Sequence, residues 1–114
     1  WFSLSFVDGA KLMGFQLRQK DGSLYSSSTW ISADGSTSSY PNGAFSAIPL
    51  YIKSIKDHNM PIKWRVTLPD KNVDVVVTAH NPDAWMELSI PYWEGPVNVS
   101  GSHEGHGYLE MTGY

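Results

Sequence analysis

Ile62-Lys63-Trp64-Arg65-Val66-Thr67-Leu68 alternates without a fault. Ile62, Trp64, Val66 and Leu68 fall on one side of an extended chain, and Lys63, Arg65 and Thr67 fall on the other. Successive side chains of a strand point to opposite faces, so this stretch predicts a strand with one dry and one wet face. Pro69-Asp70-Lys71-Asn72 stops it, and Val73, Val75 and Val77 resume the same period. Two alternating runs across a short polar turn predict an antiparallel hairpin.

The same grammar holds in both directions along the chain. Upstream, Phe2, Leu4 and Phe6 share one face and Trp1, Ser3 and Ser5 the other, before Asp8-Gly9 marks a hairpin. Met13, Phe15 and Leu17 then alternate with Gln16 and Arg18 opposite. Lys20-Asp21-Gly22 and Ala33-Asp34-Gly35 turn the chain on either side of a Ser-rich strand carrying Trp30. Ser36–Gly43 is a short strand or a loop. Residues 44–53 form a longer extended run in which Pro49 predicts an edge position or a bulge. Ser54–Pro61 has the composition of a polar connection. Asn81-Pro82-Asp83 has room for a short helical turn, Trp85–Tyr92 is a further strand, and Gly95-Pro96 punctuates before Val97 and Val99. A tight connection near Glu104-Gly105 returns the chain as Gly107–Tyr114, with Leu109 and Met111 facing the core. Nowhere does helical periodicity persist for ten residues. The prediction is an all-β, antiparallel, up-and-down barrel of about ten short strands, closed because a meander otherwise exposes two edges. Phe15, Leu17, Trp64, Val66, Val75 and Leu109 are its expected core.

Composition sets the outer limits. The chain has 114 residues, 41% of them apolar and 17% charged, which suits one folded domain over 1–114. The net charge is −3 and the eight Lys and Arg are scattered, so no basic stripe exists to neutralise a nucleic-acid backbone. There is no cysteine, hence no disulfide or thiolate metal site. No apolar run approaches the roughly 20 residues of a membrane helix. The chain opens on Trp1 in mid-strand, with neither an initiator Met nor a signal peptide, which predicts that something preceded it.

Candidate chemistry is sparse. His103, Glu104 and His106 are close in sequence, but three ligands on one tight turn rarely converge tetrahedrally, so they are taken as loop residues and no metal or other cofactor is expected. No nucleophile elbow or phosphate-cradling glycine loop occurs. Glu87, Glu94 and Glu110 lie on late strands, where a desolvated carboxyl could act as an acid. More distinctive is the face opposite the apolar one, where Trp1, Gln16, Arg18, Tyr108 and Glu110 share a parity with Thr112 and Tyr114. Trp, Tyr and Arg are enriched where surfaces meet, so this face is expected to contact a ligand or another domain. The many aromatic rings also leave carbohydrate binding open, although Trp64 and others share the core parity.

Several blocks resemble one family. Trp1-Phe2-Ser3-Leu4 with Leu12-Met13-Gly14-Phe15-Gln16-Leu17-Arg18 is similar to the start of the C-terminal half of the AttH / carotenoid 1,2-hydratase (hydroxyneurosporene synthase-like) family. So are Ile62-Lys63-Trp64-Arg65-Val66, Tyr92-Trp93-Glu94-Gly95-Pro96-Val97-Asn98-Val99-Ser100-Gly101 and Gly107-Tyr108-Leu109-Glu110-Met111-Thr112-Gly113-Tyr114. The resemblance spans nearly the whole chain, in order. It implies a lipocalin-like (calycin-type) barrel that forms the second half of a two-domain, extracytoplasmic protein. It also implies a hydrophobic small molecule, of isoprenoid or polyene type, held between the halves. Two departures stand out: the N-terminal half is absent, and the last hairpin is shortened around Glu104-Gly105.

Two functions of different class follow. In the first the barrel binds an apolar ligand against the missing N-terminal domain or a second copy, with Trp1, Gln16, Arg18, Trp93, Tyr108 and Glu110 bordering the junction. Glu94 or Glu110 would then be the proton donor if the full protein hydrates a double bond. In the second the same face only docks a protein partner, or the domain binds carbohydrate. The all-β reading makes a direct prediction: far-UV circular dichroism should show a β spectrum with at most one or two turns of helix, and a predominantly helical spectrum would refute it.

Overall fold

The computed structural model describes residues 1–114 as ten strands: β1 (Phe2–Phe6), β2 (Lys11–Arg18), β3 (Leu24–Ile31), β4 (Thr37–Tyr40), β5 (Ser46–Ile55), β6 (His58–Leu68), β7 (Val73–Ala79), β8 (Trp85–Met86), β9 (Tyr92–Gly101) and β10 (Gly105–Met111). The helical content is a single 3-10 turn at Pro69–Lys71, where proline opens the turn and Asn72 leaves it with φ 54°. Strand order in the sheet is β4-β3-β2-β1-β10-β9-β7-β6-β5, and β8 pairs with the start of β9. Neighbours are antiparallel throughout. The first and last strands lie side by side in mid-sheet, and the two ends of the meander are β4 and β5.

The sheet is strongly curled. Phe2 on β1 meets Trp64 on β6 edge-on, with ring centroids 5.5 Å apart, although three strands separate β1 from β6 in the sheet. One apolar core of 22 buried residues fills the concave side. Trp64, Val66, Val75 and Leu109 belong to it, as the alternation predicts. This is the lipocalin-like meander, with one difference from full closure: β4 and β5 share no ladder. β4 is only four residues long, and β5 carries Pro49 beside a register shift, so neither offers a continuous row of partners. The gap is spanned instead from inside. Phe45, in the connection between β4 and β5, is 1% exposed and lays its ring on Gly14 of β2. A Cβ at Gly14 would stand 2.5 Å from that ring, so only glycine leaves room for it.

The parity of β2 differs from the expectation. Leu12 and Gly14 face the core, while Met13 and Leu17 are exposed and Phe15 is half-buried. The turn decides this. A loop of two residues, Asp8 and Gly9, would put Leu4 opposite Met13. The observed loop also takes in Val7, closing with Phe6 N donating to Ala10 O and with Gly9 at φ 93°. Leu4 therefore sits opposite Leu12 and Phe2 opposite Gly14. One residue of slip exchanges the two faces of a strand.

Three further expectations are corrected. Ser54–Pro61 is no open connection, because Lys56 and Asp57 both adopt positive φ and form a tight turn, and β6 begins at His58. Trp85–Tyr92 is not one strand: Trp85–Met86 forms β8, and the chain is irregular until Tyr92 opens β9. Gly95-Pro96 lies inside β9. Pro96 is tolerated there because its carbonyl, and hence its missing N–H, faces the side where β9 has left β8 and not yet met β7. His80 N donates to that carbonyl at 3.0 Å.

These assignments predict opposite outcomes for two truncations. Phe45→Ala should cost about 3–5 kcal/mol, the range for aromatic deletion in a packed interior. Leu17→Ala, on an exposed side chain, should change stability by no more than about 0.5 kcal/mol. Urea denaturation of the two variants checks this, and a costly Leu17→Ala would restore the other parity.

Candidate functional site

The end of the curled sheet where β1 begins and β2 and β10 finish is open. It holds a pocket of about 640 Å³. Its floor is core: Phe2, Trp64 and Leu109 present their edges to it. Met111 adds an apolar wall, Phe15 and Leu17 border the pocket from the outward face of β2, and Trp1, Arg18 and the segment Thr112–Tyr114 form the rim. The location follows from the fold. The Phe45 plug fills the middle of the seam, where its ring lies on Gly14.

Gln16 explains how the wall holds together. Its Nε2 donates to Ala47 O at 2.9 Å and its Oε1 accepts from Ala47 N at 3.3 Å. One side-chain amide thus satisfies both backbone groups of a residue on the edge strand β5, as a neighbouring strand would. It joins β2 to β5 across the seam.

Arg18 stands two residues on, with the same inward parity. Its Nη2 donates to Thr112 O at 3.0 Å, and its guanidinium carbon lies 3.6 Å from the centre of the Tyr114 ring. Gly113 between them has φ 79°, and a Cβ there would lie 3.2 Å from Nη2. Thr112–Tyr114 is therefore a strap folded against the guanidinium. Its far end is fixed too, by a 2.5 Å contact between His58 Nδ1 and Tyr114 O, with the His58 ring stacked on Trp85 at 4.1 Å. Burial pushes the Tyr114 phenol above its ordinary value, and Arg18 opposes that shift in part.

The structure divides the other candidate residues. Trp1 (44% exposed) and Glu110 reach the rim, so Trp1, Gln16, Arg18 and Glu110 do come together around one pocket. They do so from both faces of the sheet, not from one shared face. Tyr108 and Glu94 stay on the convex side, where the Tyr108 hydroxyl donates to Glu94 Oε1 at 3.3 Å and Glu94 stands directly across from Glu110. Partial desolvation, then the carboxylate of Glu94, raises both the Tyr92 and Tyr108 phenols. Trp93, expected at the junction, is instead fully enclosed at 0% exposure, with its Nε1 donating to Pro82 O. Sequence reasoning missed Ala47, because a partner across the seam leaves no local pattern. Of the three carboxylates considered as acids, Glu87, Glu94 and Glu110, only Glu110 borders the pocket.

A family model described as AttH-like matches residues 1–114, the whole chain. The chain belongs to the AttH-like family. A search of curated proteins returned no match. Among solved structures, a protein assigned as an AttH from Nitrosomonas europaea superposes with a TM-score of 0.88 at 28% identity, covering 100% of this chain and 38% of that one. The AttH-like chain described here thus spans well under half the length of that relative.

In this AttH-like barrel Gln16 should be the side chain whose loss opens the wall. Gln16→Leu strands two part-buried backbone groups of Ala47 and should cost about 1–3 kcal/mol. Gln16→Glu replaces the donor facing Ala47 O with an acceptor and should cost at least as much. Equal thermal denaturation midpoints for the wild type and both variants would show that the bridge does not form.

Proposed function

We propose that this AttH-like chain is a binding barrel for an elongated apolar molecule of isoprenoid or polyene type. The observation that carries this is the pocket at the open end, whose apolar walls run without interruption into the core. Pockets of this volume, mostly apolar with a few convergent polar groups, are the usual form of a small-molecule site. Beside the mouth, on the ladder of β2 with β3, Leu17 pairs with Tyr25 and Leu24 lies across from Arg18, and all three apolar side chains are exposed. Apolar groups in that position are suited to being covered, and we assign the cover to a further domain of the same protein or to a second copy. In a full-length, extracytoplasmic protein of this kind the ligand would lie at that junction. Were it to hydrate a double bond as a carotenoid 1,2-hydratase does, Glu110 is the candidate acid that borders the pocket, and its convex-facing strand position would require the covering domain to complete the site.

A second reading, a docking module without a ligand, draws on the same exposed patch around Leu17, Leu24 and Tyr25. Carbohydrate binding has less support, since Trp30, Trp64 and Trp93 are buried and offer no ring face to a sugar.

Retinol, a conjugated polyene alcohol, separates these readings. It should quench tryptophan emission saturably, because Trp1 and Trp64 both line the pocket. Leu17→Asp puts a charge at the exposed border of the pocket and should weaken binding by about tenfold or more without unfolding the chain. Unchanged emission with retinol, or unchanged affinity in the variant, would leave the docking reading in possession.

A further inference from the structure

We propose that Arg18 makes the pocket selective for an apolar chain that ends in an anionic, two-oxygen head group; this rests on the ligand-binding reading above. The guanidinium is the one positively charged side chain on the rim. Its single hydrogen bond goes to a neutral carbonyl, Thr112 O. The two ion pairs of the chain lie elsewhere, Arg65 with Asp74 and Lys53 with Asp83, so Arg18 has no carboxylate partner. Glu110 shares the rim, but its strand position directs it to the convex side opposite Glu94, and it makes no ion pair with Arg18.

The group is also held in place. The Tyr114 ring supports one of its faces, Thr112 O fixes Nη2, and the absent side chain of Gly113 lets the strap close on it. A long flexible side chain loses much rotamer freedom when it binds an anion, and one already immobilised loses less. Its remaining N–H groups form the planar fork that matches a carboxylate with two parallel hydrogen bonds. An apolar chain laid over Phe2, Trp64 and Met111 would bring its terminal group to this fork.

Retinoic acid and retinol share the polyene and differ in that terminal group, so tryptophan quenching by the two tests the head alone. At neutral pH and low ionic strength the acid should bind about tenfold more tightly than the alcohol, the effect of one charge-assisted contact at an exposed rim. Arg18→Gln should bring the acid to the affinity of the alcohol and leave retinol unchanged. Arg18→Lys should keep part of the preference, and added salt should narrow it. Equal affinities for the two probes in the wild-type chain would overturn the proposal, as would an Arg18→Gln variant that weakens both alike, because Arg18 would then be a strut. Failure of both probes to bind overturns the pocket reading and this proposal with it, an outcome distinct from equal binding.

Discussion

The contact between Phe45 and Gly14 is the constraint on which the rest of the structure depends. A sheet that ends in a four-residue strand on one side and a proline-bearing strand on the other cannot close by backbone hydrogen bonds. It closes by packing. The Phe45 ring enters the concave side over the bare backbone of Gly14 and also reaches Phe2, at 6.0 Å between centroids. Aromatic cover of a strand glycine restores the buried area that the glycine lacks. With that plug in place β5 is held near β2, Gln16 comes within reach of Ala47, and the pocket wall exists. Tyr40 adds a polar tie at the opposite end of the seam, its hydroxyl donating to Asp70 at 2.7 Å.

Legibility in the sequence followed the number of ways a segment could satisfy its neighbours. In 62–68 and 73–77 every inward position is large and apolar, the outward ones are mostly polar, and the only conflict is Val76, so one register serves and the alternation decides it. In 11–18 both parities carry apolar residues. Met13, Phe15 and Leu17 look like a core face, whereas Leu12, Gly14 and Gln16 do not. The true face is the poorer one because two of its three residues serve partners distant in sequence: Gly14 makes space for Phe45, and Gln16 completes the edge of β5. Only the loop length, one residue longer than Asp8-Gly9, separates the two registers. The same limit explains 85–92, where apolar Leu88 and Ile90 suggest a strand yet stay exposed.

The site was half legible for a related reason. Residue type singled out Trp1, Gln16, Arg18 and Glu110, since each is out of place on a plain solvated strand. What type could not convey was the surface each one faces. Trp93 carries the same aromatic signal but donates its N–H to Pro82 O inside the core, so its polar atom is spent on holding a loop. Ala47 carries no signal at all and contributes only backbone.

The floor and the rim of the pocket are governed by different physics. Phe2, Trp64 and Leu109 belong to the core cluster, so reshaping the floor alters packing and removes stability together with binding. The rim rests on a terminal strap and two exposed side chains, where substitutions are cheap. Arg65 and Arg18 show the contrast within one chain. Arg65 sits on a regular strand face and meets Asp74 through two bonds of 2.9 and 2.7 Å, which hold the Asp74 carboxyl below its ordinary range; that exposed pair is complete and asks for nothing more. Arg18 is fixed by an aromatic face and one carbonyl, neither of which neutralises it. A guanidinium immobilised without a counter-charge, at the mouth of an apolar cavity, retains most of its capacity to bind an anion, and the fold has already met the cost of positioning it.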